Sequence, residues 1–503
     1  MWLVIVYLLF GDAQLVLSTV SDRYENVINE RDTLFKKEID MMLGSDIVLS
    51  DSEEKVNEII IELKHRELDT GLLEPGQFNV SKHFFEYKET IKETNLFKII
   101  KRMPKGAILH AHDIAILSPD YVLGLTYSEK LYVCFEEDDV RFLFSKDIPK
   151  DTCGTRWQLL RDARFSSGNV EKFDAELKKY FTIVIDNPEE VYTDINIVWS
   201  IFQDYFVRFS GIISYKPVWE KYFYDALKAL RDDNIMYLEI RSTLPQLYDL
   251  EGNVFDSLAT AQSYKDVSDK FVIDYPDFYG VKLIYSPLRL VDYSTVKSYI
   301  EIAKNIDNKI PGFLAGFDLV GQEDLGAPIK YFLPQLVEAG KYLKFFFHAG
   351  ETNWNGMSPD ENIFDAIVLG TQRIGHGFAL AKHPVLIEEI KKRDIAIEVN
   401  VISNAVLGLV KDVRNHPLSS YLAQNLPVVL SCDDPGAWEA DPLSHDFYVT
   451  FVGVANRHAD LKLLKKLALN SLYYSTLKDK DKIIHEFEIR WIRFIDSILK
   501  GNY

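Results

Sequence analysis

Ala107-Ile108-Leu109-His110-Ala111-His112-Asp113 is an apolar run that closes on two histidines one residue apart. In a β-strand residues i and i+2 point to the same side, so His110 and His112 share one face at the strand's end. Seven more apolar runs follow, spaced by helical stretches: Ile235–Ser242, Val281–Arg289, Phe313–Gly321, Leu343–Glu351, Arg373–Gly377, Ile395–Asn404 and Pro427–Asp434. Alternation of strand and helix implies parallel strands with crossover helices. Eight such units predict an α/β protein with a closed (β/α)8 TIM-like barrel, whose chemistry gathers at the C-terminal ends of the strands. A doubly wound α/β sheet is the rival architecture, but it does not so readily make neighbours of the first and last strands.

Polar residues recur at those ends. Strand five closes on His348-Ala349-Gly350-Glu351, strand six on His376, and strand eight on Asp433-Asp434. The chain has 11 histidines, and four of them fall at strand ends beside glycine or acidic residues. His383 and His416, each before a proline, and His65 and His485 in helical stretches, read instead as surface or capping residues. Zinc is well bound by imidazole nitrogens and a carboxylate oxygen. His110, His112, His348 and Asp433 are therefore the candidate metal ligands, with a position left for water that zinc would activate. Any one of these histidines alone would read as a core or rim residue; the set carries the inference.

Glu351 lies where strand five gives way to a loop. It suits a general acid and base if its pKa is raised, or a loop cap if not. His376 stands between Gly375 and Gly377, which allow close backbone approach. It reads as a hydrogen-bond partner for the water, or as a barrel-filling histidine. Asp434 follows Asp433 directly, so both can serve one site only if the chain turns there, and Pro435-Gly436 offers that turn.

The bulk properties set the frame. With 503 residues, 47% hydrophobic and 26% charged, the chain can bury a large core. A formal net charge of −19 argues against a nucleic-acid surface as the main role. The apolar start, Met1 to Phe10, is too short to span a bilayer. It predicts a signal peptide over residues 1–18, a buried strand being the alternative, and hence a secreted, extracellular protein. No other segment is apolar enough to cross a membrane. Residues 19–100 read as helices, Tyr24 to Met42 and Ser52 to His65 among them; residues 101–503 carry the barrel. About 70 residues between strand one and the helical stretch near Val191 are long for a barrel loop, and predict an inserted subdomain over roughly 125–185. In a secreted chain Cys134 and Cys153, inside that insertion, would pair as a disulfide, while Cys432 would be a buried free thiol. Asn79-Val80-Ser81 is a glycosylation sequon. The basic residues from Lys146 to Arg164 read more readily as a solvated face than as a polyanion site.

These motifs, in order, resemble the adenosine deaminase superfamily: Met103-Pro104-Lys105 before His110-Ala111-His112, then His348-Ala349-Gly350-Glu351-Thr352, Arg373-Ile374-Gly375-His376-Gly377, Ser403-Asn404 and Ser431-Cys432-Asp433-Asp434-Pro435. The secreted branch, the adenosine deaminase-related growth factors, is more similar still. Asp113, the stretch Gly316 to Asp324, Gly377-Phe378-Ala379-Leu380, the N-terminal helices and the insertion all point to it. The resemblance implies hydrolysis of adenosine or 2′-deoxyadenosine to inosine and ammonia, with one zinc held by His110, His112, His348 and Asp433. It implies that Glu351 protonates the purine ring nitrogen beside the attacked carbon and that His376 orients the water. Asp434 and the backbone of Gly321 would hold other purine nitrogens, and Asp113 and the stretch from Trp199 would contact the nucleoside. Spacing alone reads Trp199 as a packing aromatic. Dimerisation through the N-terminal helices, growth-factor activity, and receptor or glycosaminoglycan binding by the insertion are implied likewise. A signalling ligand that uses the barrel as a scaffold, and an AMP deaminase, are the other readings. The chain departs from the pattern at Leu288, where a histidine is usual beside the nucleoside, and at Asn400-Val401, where Cys-Pro is usual.

Overall fold

The structure is a computed structural model that describes residues 23–137 and 139–502; the expected signal peptide, residues 1–18, lies outside the described residues. Eight parallel strands make the barrel. They are β1 (Gly106–His112), β2 (Ile235–Ser242), β3 (Val281–Tyr285), β4 (Leu314–Phe317), β5 (His348–Ala349), β6 (Arg373–His376), β7 (Ala396–Val399) and β8 (Val428–Leu430). Hydrogen bonding divides them into two half-shells of four, β1 to β4 and β5 to β8, each in chain order. Two single parallel bridges close the cylinder: Phe317 with Phe345, and Ala111 with Asp433. The architecture is the barrel expected from the alternating pattern.

Each expected run contains its strand, but several strands end sooner. The run from Ile395 keeps strand geometry only from Ala396 to Val399; after Asn400 the chain enters the short helix Val401–Val406. β5 is two residues long, and the apolar Phe345-Phe346-Phe347 before it lies fully inside the core. In β2 all eight residues are buried, as a strand covered on both faces requires.

Residues 23–41 are helical, and Asp51–Leu73 forms a second long helix. Its start is a capping box, in which Ser50 and Glu53 satisfy each other's backbone N–H groups. This helix packs on the C-terminal helix Lys480–Leu499 and on Leu461–Tyr473, so the N-terminal region completes the barrel's helical jacket. Lys64 anchors it: fully buried, its Nζ donates to the carbonyls of Asn456 at 2.8 Å and Ala459 at 2.9 Å.

The long loop after β1 is an ordered unit. Leu131–Phe135 and Val140–Phe144 pair antiparallel, Gln158–Leu159 adds a third short strand, and Cys134 is bonded to Cys153. The basic stretch is not one solvated face. Lys146 pairs with Glu251 and Arg161 with Asp162, whereas Arg164 is buried, pairs with Asp174 at 2.6 Å and lies over the Tyr127 ring. Arg164 therefore braces the subdomain from inside. Among the described residues no helix is long and apolar enough to cross a membrane.

Candidate metal centre and active site

Strand phase delivers the ligands. His110 and His112 stand two apart at the end of β1, His348 starts β5, and Asp433 lies beyond β8. Ligand atoms of all four lie within 4.8 Å of one another. Asp433 Oδ1 is 3.1 Å from His112 Nε2 and 3.3 Å from His110 Nε2. His110 Nε2 and Asp433 Oδ1 are buried and make no hydrogen bond among the described residues. Buried polar atoms without partners are costly, so converging, unsatisfied nitrogen and oxygen donors fit a metal ion.

The far sides of two of the rings are held. His110 Nδ1 meets Glu398 Oε2 at 2.9 Å, and His348 Nδ1 meets Asp318 Oδ2 at 2.6 Å. Such carboxylate contacts fix tautomer and ring orientation, which leaves Nε2 free to coordinate. Arg241 bridges the two carboxylates, at 2.7 Å from Glu398 and 2.9 Å from Asp318. These cations and imidazoles hold both carboxyls well below their ordinary range despite full burial. Burial brings His348 down to about 3, so its imidazole is neutral, as a ligand must be. Ser403 Oγ donates to Asp433 Oδ2 at 2.8 Å.

A second set adjoins the first. Glu351 Oε1 is 3.4 Å from His376 Nδ1, and His376 Nε2 is 3.8 Å from Asp433 Oδ2. Burial, followed by the nearby Asp433 charge, pushes the Glu351 carboxyl well above its usual range. Burial likewise holds His376 neutral. Glu323 positions Glu351 through the backbone, accepting the N–H of Gly350 at 3.1 Å and of Glu351 at 2.8 Å. The His110 and His112 imidazoles beside it hold Asp433 well below the usual range against its burial. Burial and the Asp433 charge drive Asp434 well above it.

Two side chains reach the site because the backbone is left-handed. His376 has φ 62° and Asp433 φ 58°. Non-glycine residues seldom adopt such angles, and each costs on the order of 1 kcal/mol. The turn expected at Pro435-Gly436 thus begins at Asp433 itself, which is how both aspartates serve one mouth.

The remaining expected residues lie around that mouth. Gly321, at φ 104°, follows Val320, which bridges to Leu288. Leu288 is 54% exposed and so presents an apolar side chain at the rim. Gln322 ties the rim to the helix Ile195–Ile213 through Asn196 at 2.8 Å. Trp199, on that helix, is buried edge-on to Phe202 at 5.6 Å and behaves as a packing aromatic. Asp113 is buried, and its Oδ2 accepts the Tyr264 hydroxyl at 2.6 Å. Asn79 opens a short 3₁₀ turn, Asn79–Ser81.

His416 is neither a surface residue nor only a cap: it is 1% exposed, and its Nε2 meets Asn404 Oδ1 at 3.0 Å. Asn404 Nδ2 in turn lies 3.2 Å from His376 Nδ1. A polar relay therefore backs His376, while His416 Nδ1 also accepts the N–H of Leu418. The sequence reading also assigned no role to Glu398, Asp318, Arg241 or Glu323. Their signal was available, since each is a charge set in or just after an apolar strand.

Comparison with known proteins agrees with this geometry. The family model described as adenosine deaminase matches residues 182–488, and the adenosine/AMP deaminase N-terminal model matches residues 3–100. The chain belongs to the adenosine deaminase family. It is 44% identical to an adenosine deaminase of Phlebotomus duboscqi over 480 residues, covering 94% of this chain and 93% of that one. It is 41% identical to human adenosine deaminase 2, covering 92% of each. Among solved structures, Arabidopsis ADAL complexed with IMP shares the fold, with a TM-score of 0.55 at 17% identity over 78% of this chain and 99% of that one.

Proposed function

We propose that this protein is a secreted, zinc-dependent adenosine deaminase that hydrolyses adenosine and 2′-deoxyadenosine to inosine and ammonia. The observation that carries the reading is the convergence of His110, His112, His348 and Asp433 within 4.8 Å, beside a buried Glu351 whose carboxyl is pushed well above its usual range. Three imidazoles and one carboxylate suit zinc and leave a coordination position open. When bound, zinc supplies a Lewis acid that makes water nucleophilic near neutral pH.

The chain's own groups do the rest. Glu351, protonated in the closed site, gives its proton to the purine ring nitrogen beside the amino-bearing carbon, which makes that carbon electrophilic. Neutral His376, between Glu351 and Asp433, holds the incoming water by hydrogen bond and takes up its proton. His376 then passes that proton to the amino group, the C–N bond breaks to release ammonia, and the new hydroxyl becomes the carbonyl as its proton returns to Glu351. Asp434, its carboxyl raised well above the usual range by burial and then by the Asp433 charge, donates a hydrogen bond to a second purine nitrogen, and the Gly321 N–H serves a third. Asp113, and the rim helix that carries Trp199, border the ribose.

Residues 1–18 direct export, and the helical region 19–100 supports a homodimer. The insertion, about 125–185, offers a surface for a cell-surface receptor or glycosaminoglycan, and removal of extracellular adenosine underlies any growth-factor effect. Protein from culture medium, assayed with adenosine, 2′-deoxyadenosine and AMP by ultraviolet shift alongside elemental analysis, tests the core reading. Turnover of the two nucleosides with one zinc per chain is expected; zinc-loaded, folded protein inert towards both rejects it.

A further inference from the structure

The N-terminal ends of the barrel strands, opposite the candidate metal site, border an open cavity of about 590 Å³. Arg373, the first residue of β6, and Phe346, just before β5, form its inner wall; Lys344, Lys466, Tyr473 and Lys480 stand around it. Asp394 also lines it and accepts the Tyr474 hydroxyl at 2.7 Å. Arg373 is spent on Glu239 and Glu398, and Lys466 on Asp46. Lys344 and Lys480 have no carboxylate within ion-pair distance among the described residues; Lys480 Nζ donates only to the Tyr473 carbonyl, at 2.6 Å.

More positive charge stands close by. Lys282 Nζ donates to the Thr476 carbonyl at 2.9 Å. Burial lowers its pKa; the Glu239 carboxylate offsets part of that, while Lys478, Lys344 and Lys480 lower it further by repulsion. Lys480 also opens the twenty-residue helix Lys480–Leu499, whose N-cap Asp479 makes no side-chain capping bond. Asp479 and Asp481 offset the partial positive charge of that helix end, so the lysines themselves supply the attraction. In a chain of net charge −19, lysines gathered without a carboxylate at ion-pair distance run against the overall sign. Their mutual repulsion is relieved by an anion seated among them.

We propose that this cavity binds a small, multiply charged phosphate compound through Lys344 and Lys480, with Lys282 and Lys478 adding charge at its edge. Flexible ammonium groups on several elements suit a dispersed phosphate charge better than the planar fork of a single carboxylate, for which arginine is the better partner. Half-exposed Tyr473 gives an apolar face for the organic part of the ligand.

Calorimetric titration of the whole protein with fructose 1,6-bisphosphate, a weakly chelating probe, at low ionic strength tests the site. One bisphosphate per chain is expected, with binding weakened at least about tenfold in the double variant Lys344→Ala/Lys480→Ala. The double variant Lys150→Ala/Arg156→Ala, in the inserted subdomain, should bind as the parent does. Thermal melts and nucleoside turnover of both variants check that each is folded. Absence of binding to the parent protein overturns the proposal, as does equal binding by the Lys344/Lys480 variant.

Discussion

His110 Nδ1 lies 2.9 Å from Glu398, whose other carboxylate oxygen is 2.5 Å from Arg373 Nε. The carboxylate thus orients one candidate ligand and is itself locked from the barrel's opposite end. Glu398→Gln keeps the shape and removes the charge. Zinc affinity should fall by about 10- to 100-fold, read by competition with a coloured chelator. Unchanged affinity would remove Glu398 from the site's support.

Glu351→Gln should keep zinc and lose activity. Proton transfer by a positioned group contributes about 10²- to 10⁴-fold, so kcat should fall by at least that range while metal content stays at the parent level. Retained turnover would reassign the proton donor.

Gly375 has no room for a side chain. A Cβ there would sit 3.0 Å from His110 Cε1 and 3.2 Å from His348 Cα, between two candidate ligands. Gly375→Ala should displace the His110 ring and lower zinc occupancy in protein whose circular dichroism is unchanged. Full occupancy would show that the ring has slack the geometry denies.

Burial holds the Lys64 amine at about 7, against an ordinary 10.5. Between those values the unfolded chain binds a proton that the folded chain does not, so stability rises with pH across that window. Lys64→Met removes this dependence. Relative to the variant, the parent protein should gain thermal stability from pH 7 to pH 10; parallel melting curves across that range would contradict the assignment.

The fold was legible because strand periodicity and helical spacing are local. The metal set was legible because i and i+2 on one strand share a face, which places His110 beside His112 without further knowledge. What stayed hidden depends on backbone angles and on long-range pairing. No local pattern announces that Asp433 turns left-handed. Nor does sequence tell that His416 lies inward, since a histidine before proline fits a cap as well as a core. Arg164 was misjudged for the same reason: its partners, Asp174 and Tyr127, come from other parts of the insertion.

The barrel closes through few contacts, and one of them lies at the candidate ligands. Asp433 N–H donates to the His110 carbonyl at 3.2 Å, and His112 N–H to the Asp433 carbonyl at 3.1 Å. His110 and His112 belong to one half-shell, and His348 and Asp433 to the other. Neither half can chelate alone. Coordination therefore doubles as a rivet across one of the two single-bridge joints of the cylinder, and stripping the ion should unzip this joint before either half-shell frays.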